Sequence, residues 1–516
     1  MSVLTASSCS VPLMAVLLSL ATVVTVRAGY KEEIGLTALL QELGAAAPTG
    51  TNVTVSQVEI LNGGGYVADT SDPELIGKTF NLKSGASGVS YHANSVARYF
   101  YGTSTGVAPA VRTIDAYEAG NFLGAGFLNA GNPLLAPAVE ARRIQNHSWG
   151  GSSSSAQEIN RRLDFTIKRD GFVAVIGLNN GSGTTVPDLL AHSYNGISVG
   201  VPSGEHSRGG TLFDTAGRIK PEIVAPSADY SVSYSAAVVS GAAALLLQTA
   251  DQDSALGNAR TNSEVIKALL MAGAVKSIFP TWTRTTNQPL DAVYGAGQLN
   301  IYNSYKILTA GKQPASSTNT VGTKGWDFAT TAGTSASTNY FFDVPVGHAL
   351  SNVSVIVTWN RNVYDASPGP MFDPQVVFAN LDLRLYTATN FTPVNLLDAS
   401  VSTLDNVEHI HVTNPLAGGR YAMQVSWDLA SHDYALAWSG TLVALPPPVL
   451  SVARSNDAVV VSWPLTAAGF TLQAATNLNG SVTWTSVPPP YQTNTDNYFI
   501  PVPEPTEQKY YRLQAP

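Results

Sequence analysis

Short apolar runs rich in β-branched residues recur through the first two hundred positions. Val53–Ile60, Gly171–Leu178 and Gly196–Val201 lack the strict apolar/polar alternation of a half-solvated strand, as expected for strands covered on both faces of a parallel sheet. Between and after them, Ala156–Lys168 and Ala236–Ala250 have the composition and length of helices. This order predicts a doubly wound, mostly parallel α/β domain over residues 29–311. Ala236–Leu247, small and apolar, predicts a central buried helix, too short at about twelve residues to cross a membrane. Beyond it the texture changes. Lys312–Thr320 (KQPASSTNT) predicts a linker over 312–320, and Val353–Trp359, Leu381–Tyr386 and Arg420–Trp427 predict a β-sandwich over 321–445. The run Pro446-Pro447-Pro448 opens a smaller all-β segment over 446–516, with strands expected at Ala458–Trp463, Phe470–Gln473 and Tyr510–Leu513.

At the N-terminus, the apolar stretch Val11–Val26 followed by Arg27-Ala28-Gly29 predicts a signal peptide over 1–28, cut after Ala28. Cys9, the one cysteine, lies inside it. Its removal would exclude a cysteine nucleophile, a disulfide framework and a thiolate metal site. A net charge of −8 with no basic run argues against a nucleic-acid partner. The 12% charged residues, 44 glycines and 30 prolines fit a folded, loop-rich protein rather than a disordered one.

Serine-based amide hydrolysis needs a base near the hydroxyl, a carboxylate to orient that base, and donors aimed at the developing oxyanion. Val53-Thr54-Val55-Ser56-Gln57-Val58-Glu59 offers a strand ending in an acid, and His92-Ala93-Asn94-Ser95-Val96-Ala97 a histidine at a helix start. Asn146-His147-Ser148-Trp149-Gly150, Gly177-Leu178-Asn179-Asn180-Gly181 and Lys220-Pro221-Glu222-Ile223-Val224-Ala225-Pro226 come next. Ser231-Val232-Ser233-Tyr234-Ser235-Ala236 then runs into the apolar helix. A serine there meets the positive end of the helix dipole and unpaired backbone N–H groups. In this order the segments resemble the subtilisin-like serine peptidases, the subtilases, over roughly residues 50–310.

The resemblance implies a triad of Glu59, His92 and Ser233, with Glu59 where the family has Asp. It implies Asn179 as oxyanion donor and Ser148, Trp149, Gly150 and Gly177 along the substrate. Around the nucleophile, Ser231-Val232 replace the family's Gly-Thr and Val238 its Pro, and the span Pro226–Ser233 is short. Only about thirty residues separate the expected signal cut from Glu59, too few for the usual propeptide. Asp69 and Asp115 are the alternative acids nearest along the chain.

In the first β-unit, Asn380-Leu381-Asp382-Leu383 and Leu404-Asp405-Asn406-Val407-Glu408 resemble the jelly-roll domain found behind many subtilases. Asn380, Asp382, Asp405 and Glu408 are expected there to hold a structural Ca²⁺, whose ligands are oxygens. The last segment resembles immunoglobulin-like or fibronectin type III-like modules of secreted bacterial hydrolases. The expected protein is thus a secreted, periplasmic or cell-surface endopeptidase, monomeric, acting on protein or peptide substrates, with no organic cofactor and no membrane contact after signal cleavage. The alternatives are an inactive subtilase-like scaffold that binds proteins, and an adhesion protein working through its β-units.

Overall fold

A computed structural model describes residues 29–367, 369, 371–455, 458–467, 469–503 and 507–515. The expected signal segment, with Cys9, lies outside the described residues. Seven parallel strands form the central sheet: β1 (Val55–Glu59), β2 (Thr79–Leu82), β3 (Thr113–Glu118), β4 (Ile144–His147), β5 (Val173–Gly177), β6 (Ile197–Gly200) and β7 (Ile223–Val224). Their order is β7-β6-β5-β4-β1-β3-β2. Every residue of β1, β4, β5 and β6 is buried, which explains the near-continuous apolar runs of β5 and β6, whereas β1 and β4 bury the polar Ser56, Gln57, Glu59, Gln145, Asn146 and His147. From β1 the chain moves outward one way through β2 and β3 and then the other way through β4 to β7. The crevice at the carboxyl ends beside β1 is the usual ligand position in such sheets.

Helices α1 (Tyr91–Tyr101), α2 (Ala156–Asp170), α3 (Val232–Gln252), α4 (Ser263–Gly273) and α5 (Ile301–Thr309) complete the α/β unit. The central helix is longer than expected. It begins at Val232 and, at 21 residues, is long and apolar enough to cross a membrane by composition alone. Burial decides the matter rather than length: 83% of its apolar window lies inside the protein. The small residues of Ala236–Ala244 let it pass closely under β4, β5 and β6.

The sandwich has a five-stranded and a four-stranded sheet. The first contains β8 (Thr320–Val321), β10 (Ala336–Val344), β12 (Leu381–Thr389), β13 (Thr392–Ser400) and β15 (Gly419–Trp427). The second contains β9 (Lys324–Thr330), β11 (His348–Thr358), β14 (Val407–Val412) and β16 (Asp433–Ala444). Its core includes Trp359, Leu381, Leu383, Ile410 and Trp438. A smaller unit of two further sheets closes around Val461, Trp463 and Leu472.

The sandwich is fused to the α/β unit. Helix α4 is buried on every face and packs against β11 and β16. Trp326, Ile356, Val407, Ala435 and Ala437 of the sandwich belong to the same apolar core as α3 and α4. Trp326 donates its indole N–H to Leu308 O of α5 at 3.0 Å. The Ser/Thr-rich segment between the units is tied down at its start: the Gln313 side chain holds the Gly322 N–H and the Lys324 carbonyl. Polar contacts finish the join. Arg361 Nε meets Asp164 Oδ2 at 2.6 Å, its second partner is Asp214, and Asn406 donates to Tyr194 O at 2.8 Å.

Candidate active site

The acid and the base are set by the end of one strand and the start of one helix. Ser90 caps α1, its hydroxyl accepting the Ala93 N–H at 3.1 Å. That places His92 in the first turn, above the carboxyl end of β1, where Glu59 is the last residue and has no exposed surface. Glu59 Oε2 lies 2.7 Å from His92 Nδ1. The proton of the neutral imidazole therefore sits on Nδ1 and the free lone pair on Nε2. The second carboxylate oxygen accepts from Gln57 Nε2 at 2.8 Å, which also donates to Ala93 O at 2.9 Å. The buried Tyr101 hydroxyl donates to Gln57 Oε1. Gln57 was invisible as a site residue in the sequence. Its one signal is the spacing of two from Glu59, which puts both on one face of β1. Burial of His92 disfavours its charge, but the Glu59 hydrogen bond and charge outweigh it, and the pKa is raised above the ordinary histidine value.

Ser233 is the second residue of α3, half-buried. The neighbouring Tyr234 ring lies 6.3 Å from His92 and stacks on Tyr99 at 4.9 Å. Ser233 and Ser148 hold each other reciprocally: Ser148 Oγ donates to Ser233 O at 2.8 Å, and Ser233 Oγ to Ser148 O at 3.1 Å. Ser148 also accepts from Asn146 Nδ2 at 2.8 Å, and Asn146 Oδ1 accepts from Ser240 Oγ at 2.9 Å. This chain fastens the strand after β4 to the first turns of α3. Among the described hydrogen bonds His92 Nε2 and Ser233 Oγ are not paired, and the Ser233 hydroxyl is engaged by Ser148 O.

The oxyanion side is built on the loop after β5. Asn179 Nδ2 donates to Thr185 O at 3.0 Å, and Asn179 Oδ1 would lie 2.5 Å from a Cβ placed on Gly150. A side chain at position 150 would therefore displace the Asn179 amide, which explains the glycine. A Cβ on Gly177 would meet Val232 and Ala236 of α3 at 3.4 and 3.7 Å, ordinary contact distances, so α3 lies close over the end of β5. Trp149 is buried and Gly150 exposed. Asn180, which follows the expected oxyanion donor in sequence, accepts the Val232 N–H on its Oδ1 at 2.9 Å. It caps α3 from outside, because Ser231 at the N-cap position makes no side-chain bond. The Ser233 N–H has no acceptor among the described hydrogen bonds.

The remaining candidates are engaged elsewhere. Asp69 accepts from Ser71, and Asp115 pairs with Arg142 at 2.9 Å. Asp382 faces Arg384 at 3.0 Å, so a guanidinium supplies the positive charge that calcium would bring. Asn380 donates to Asp382 at 3.3 Å and leaves its own Oδ1 without a partner among the described residues. Asp405 accepts from the Ser402 hydroxyl, and Glu408 from Ser400 and from Ser402 N. Burial raises the Glu408 carboxyl well above the usual carboxylate range. Among the described residues no group of three or more His, Cys, Asp or Glu side chains is placed to hold a metal ion.

Residues 75–297 match the family model described as Peptidase_S8, subtilase family. His92 and Ser233 lie inside the matched region and Glu59 before it. No curated protein matches the chain. Three solved structures are similar to it. A cold adapted subtilisin-like serine proteinase is 16% identical over 49% of this chain and 89% of its own, with TM-score 0.30. The PatG macrocyclase in complex with peptide is 16% identical over 54% and 96%, TM-score 0.39. The serine protease MycP1, a component of the type VII (ESX-1) secretion system, is 15% identical over 53% and 87%, TM-score 0.29.

Proposed function

We propose that this protein is a secreted serine endopeptidase that cleaves protein or peptide substrates through an acyl-enzyme on Ser233. The observation that carries the reading is the buried Glu59 carboxylate 2.7 Å from His92 Nδ1, beside a serine at the N-terminus of a buried helix. The orientation leaves Nε2 free to take the Ser233 proton as Oγ attacks the scissile carbonyl carbon. The resulting oxyanion faces the Ser233 N–H, the helix dipole and the Asn179 amide once that amide exchanges Thr185 O for the new charge. His92 Nε2–H then protonates the leaving amine. Water repeats the sequence on the acyl-enzyme and releases the acid and Ser233. Glu59 stays ionised throughout and stabilises the imidazolium. The net charge of −8 without a basic run supports a substrate other than nucleic acid, and the jelly-roll-like and immunoglobulin-like units serve as accessory modules.

The test is labelling of the full chain with a fluorophosphonate, followed by location of the adduct. The expected adduct is on Ser233, and Ser233→Ala abolishes both labelling and casein cleavage with the melting temperature unchanged. A second reading, an inactive scaffold that binds protein ligands, draws on the resting bonds of Ser233 to Ser148 O and of Asn179 to Thr185 O. Absence of labelling across the pH range establishes that reading instead.

A further inference from the structure

Two adjoining cavities, of about 580 and 220 Å³, open where the α/β unit meets the sandwich. They share Lys276, Ser277, Asn352 and His411, and none of their lining residues belongs to the triad. The larger falls in the range of roughly 300–1,000 Å³ usual for small-molecule pockets. Lys276 stands at their junction with 5% of its surface exposed. Its ammonium donates to Ala274 O and to Ser354 Oγ, both at 3.0 Å, which leaves one N–H unused. Among the described residues it has no ion pair. A buried ammonium answered only by neutral acceptors is costly, and an anion brought by a ligand would offset that cost.

The surrounding charges point the same way. The linings hold Lys276, Arg284 and Lys324 against the single carboxylate of Asp398, and Arg284 already engages that carboxylate. His411 directs Nδ1 at Val353 O, 3.2 Å away, and burial keeps it neutral with its pKa lowered to about 4. One wall is apolar and flat. Phe279 stacks on Tyr294 at 3.9 Å. Trp282 spends its indole N–H on Gly295 O and stands edge-on to His411 at 5.3 Å.

We infer that this junction binds a small organic carboxylate bearing a flat apolar group, with the carboxylate on Lys276 and the flat group against Phe279 and Trp282. Such a carboxylate belongs either to a free acid or to the C-terminus of a peptide. The inference is independent of the proposed peptidase activity, and Ser233→Ala protein serves equally well for its test.

Calorimetry on the full chain at about pH 6.5, below the value of about 7 to which burial lowers Lys276, compares phenylacetate, phenylacetamide, inorganic phosphate and acetyl-Gly-Gly-Phe with a free carboxylate. Phenylacetate should bind at least about tenfold more tightly than phenylacetamide. Lys276→Met should weaken it by a similar factor, and Ser277→Trp, an exposed rim position, should block it without altering the melting temperature. A peptide acid tighter than phenylacetate assigns the site to peptide C-termini, and a weaker one to free acids. Equal binding of acid and amide, phosphate binding tighter than phenylacetate, or unchanged binding by Ser277→Trp overturns the inference.

Discussion

Glutamate reaches farther than aspartate by one methylene, and at position 59 that reach is used: the carboxylate spans from the end of β1 to His92 while its other oxygen is held by Gln57. Glu59→Gln keeps the size and removes the charge. Turnover should fall by a factor on the order of a thousand with little change in KM, because the lost interaction matters chiefly in the transition state. The pH profile gives an independent readout. In the proposed mechanism neutral His92 is the base, and its pKa is raised, so the acid limb of kcat/KM should have its midpoint above about 6.5. In Glu59→Gln the opposing effect of burial is left alone, and the midpoint should move below that value. Parent-like activity in this variant would require another acid. At this scale an acid, a histidine and a serine, each at an element's edge, were legible because their order along the chain is itself the signal. Gln57, Asn180 and Ser240 were hidden, because their roles arise from partners on other elements.

Among the elements, the strands were readable to within one or two residues at most ends, as for Val55–Glu59 against the expected Val53–Ile60. Burial on both faces leaves a continuous apolar signature that ends where the backbone turns to solvent. The start of α3 was not readable, because Val232, Ser233 and Tyr234 carry no helix signal of their own and the first turn is held by Asn180. Asn180→Ala should cost about 1 kcal/mol, the usual penalty for a lost cap, lowering the melting temperature by roughly 2–4 °C for a unit of this size. Asn180→Asp, which keeps the acceptor and adds a charge favourable at a helix N-terminus, should restore it. Calorimetric melting of the two variants checks this. An Asn180→Ala protein as stable as the parent would show that the cap contributes nothing.

For the whole molecule, the join between the units is the feature that sequence texture concealed. Lys312–Thr320 has a linker's composition, but Trp326 just beyond it is buried in the α/β core. Arg361→Ala should destabilise by about 3–5 kcal/mol, since it leaves the buried Asp164 carboxylate without its guanidinium and takes one of the two guanidiniums from Asp214. Burial would raise the Asp214 pKa, but Arg161 and Arg361 outweigh it and hold it below the usual range. Its contribution is therefore complete above about pH 4 and is lost as pH falls through the lower folded value. The deficit of Arg361→Ala should accordingly be largest near neutrality and shrink in acid, as measured by denaturant unfolding at several pH values.

The shared core also sets a timetable for biosynthesis. Helix α4 takes much of its cover from β11 and β16, so a growing chain cannot finish the α/β unit until residues near 440 have emerged from the ribosome. Until then one face of a fully buried helix stays open to water, and the catalytic groups rest on an unfinished support. A chain halted at residue 311 should accumulate as insoluble, unlabelled material, whereas one halted at 445 should be soluble and react with the fluorophosphonate. Labelling would then appear only once the sandwich has been translated.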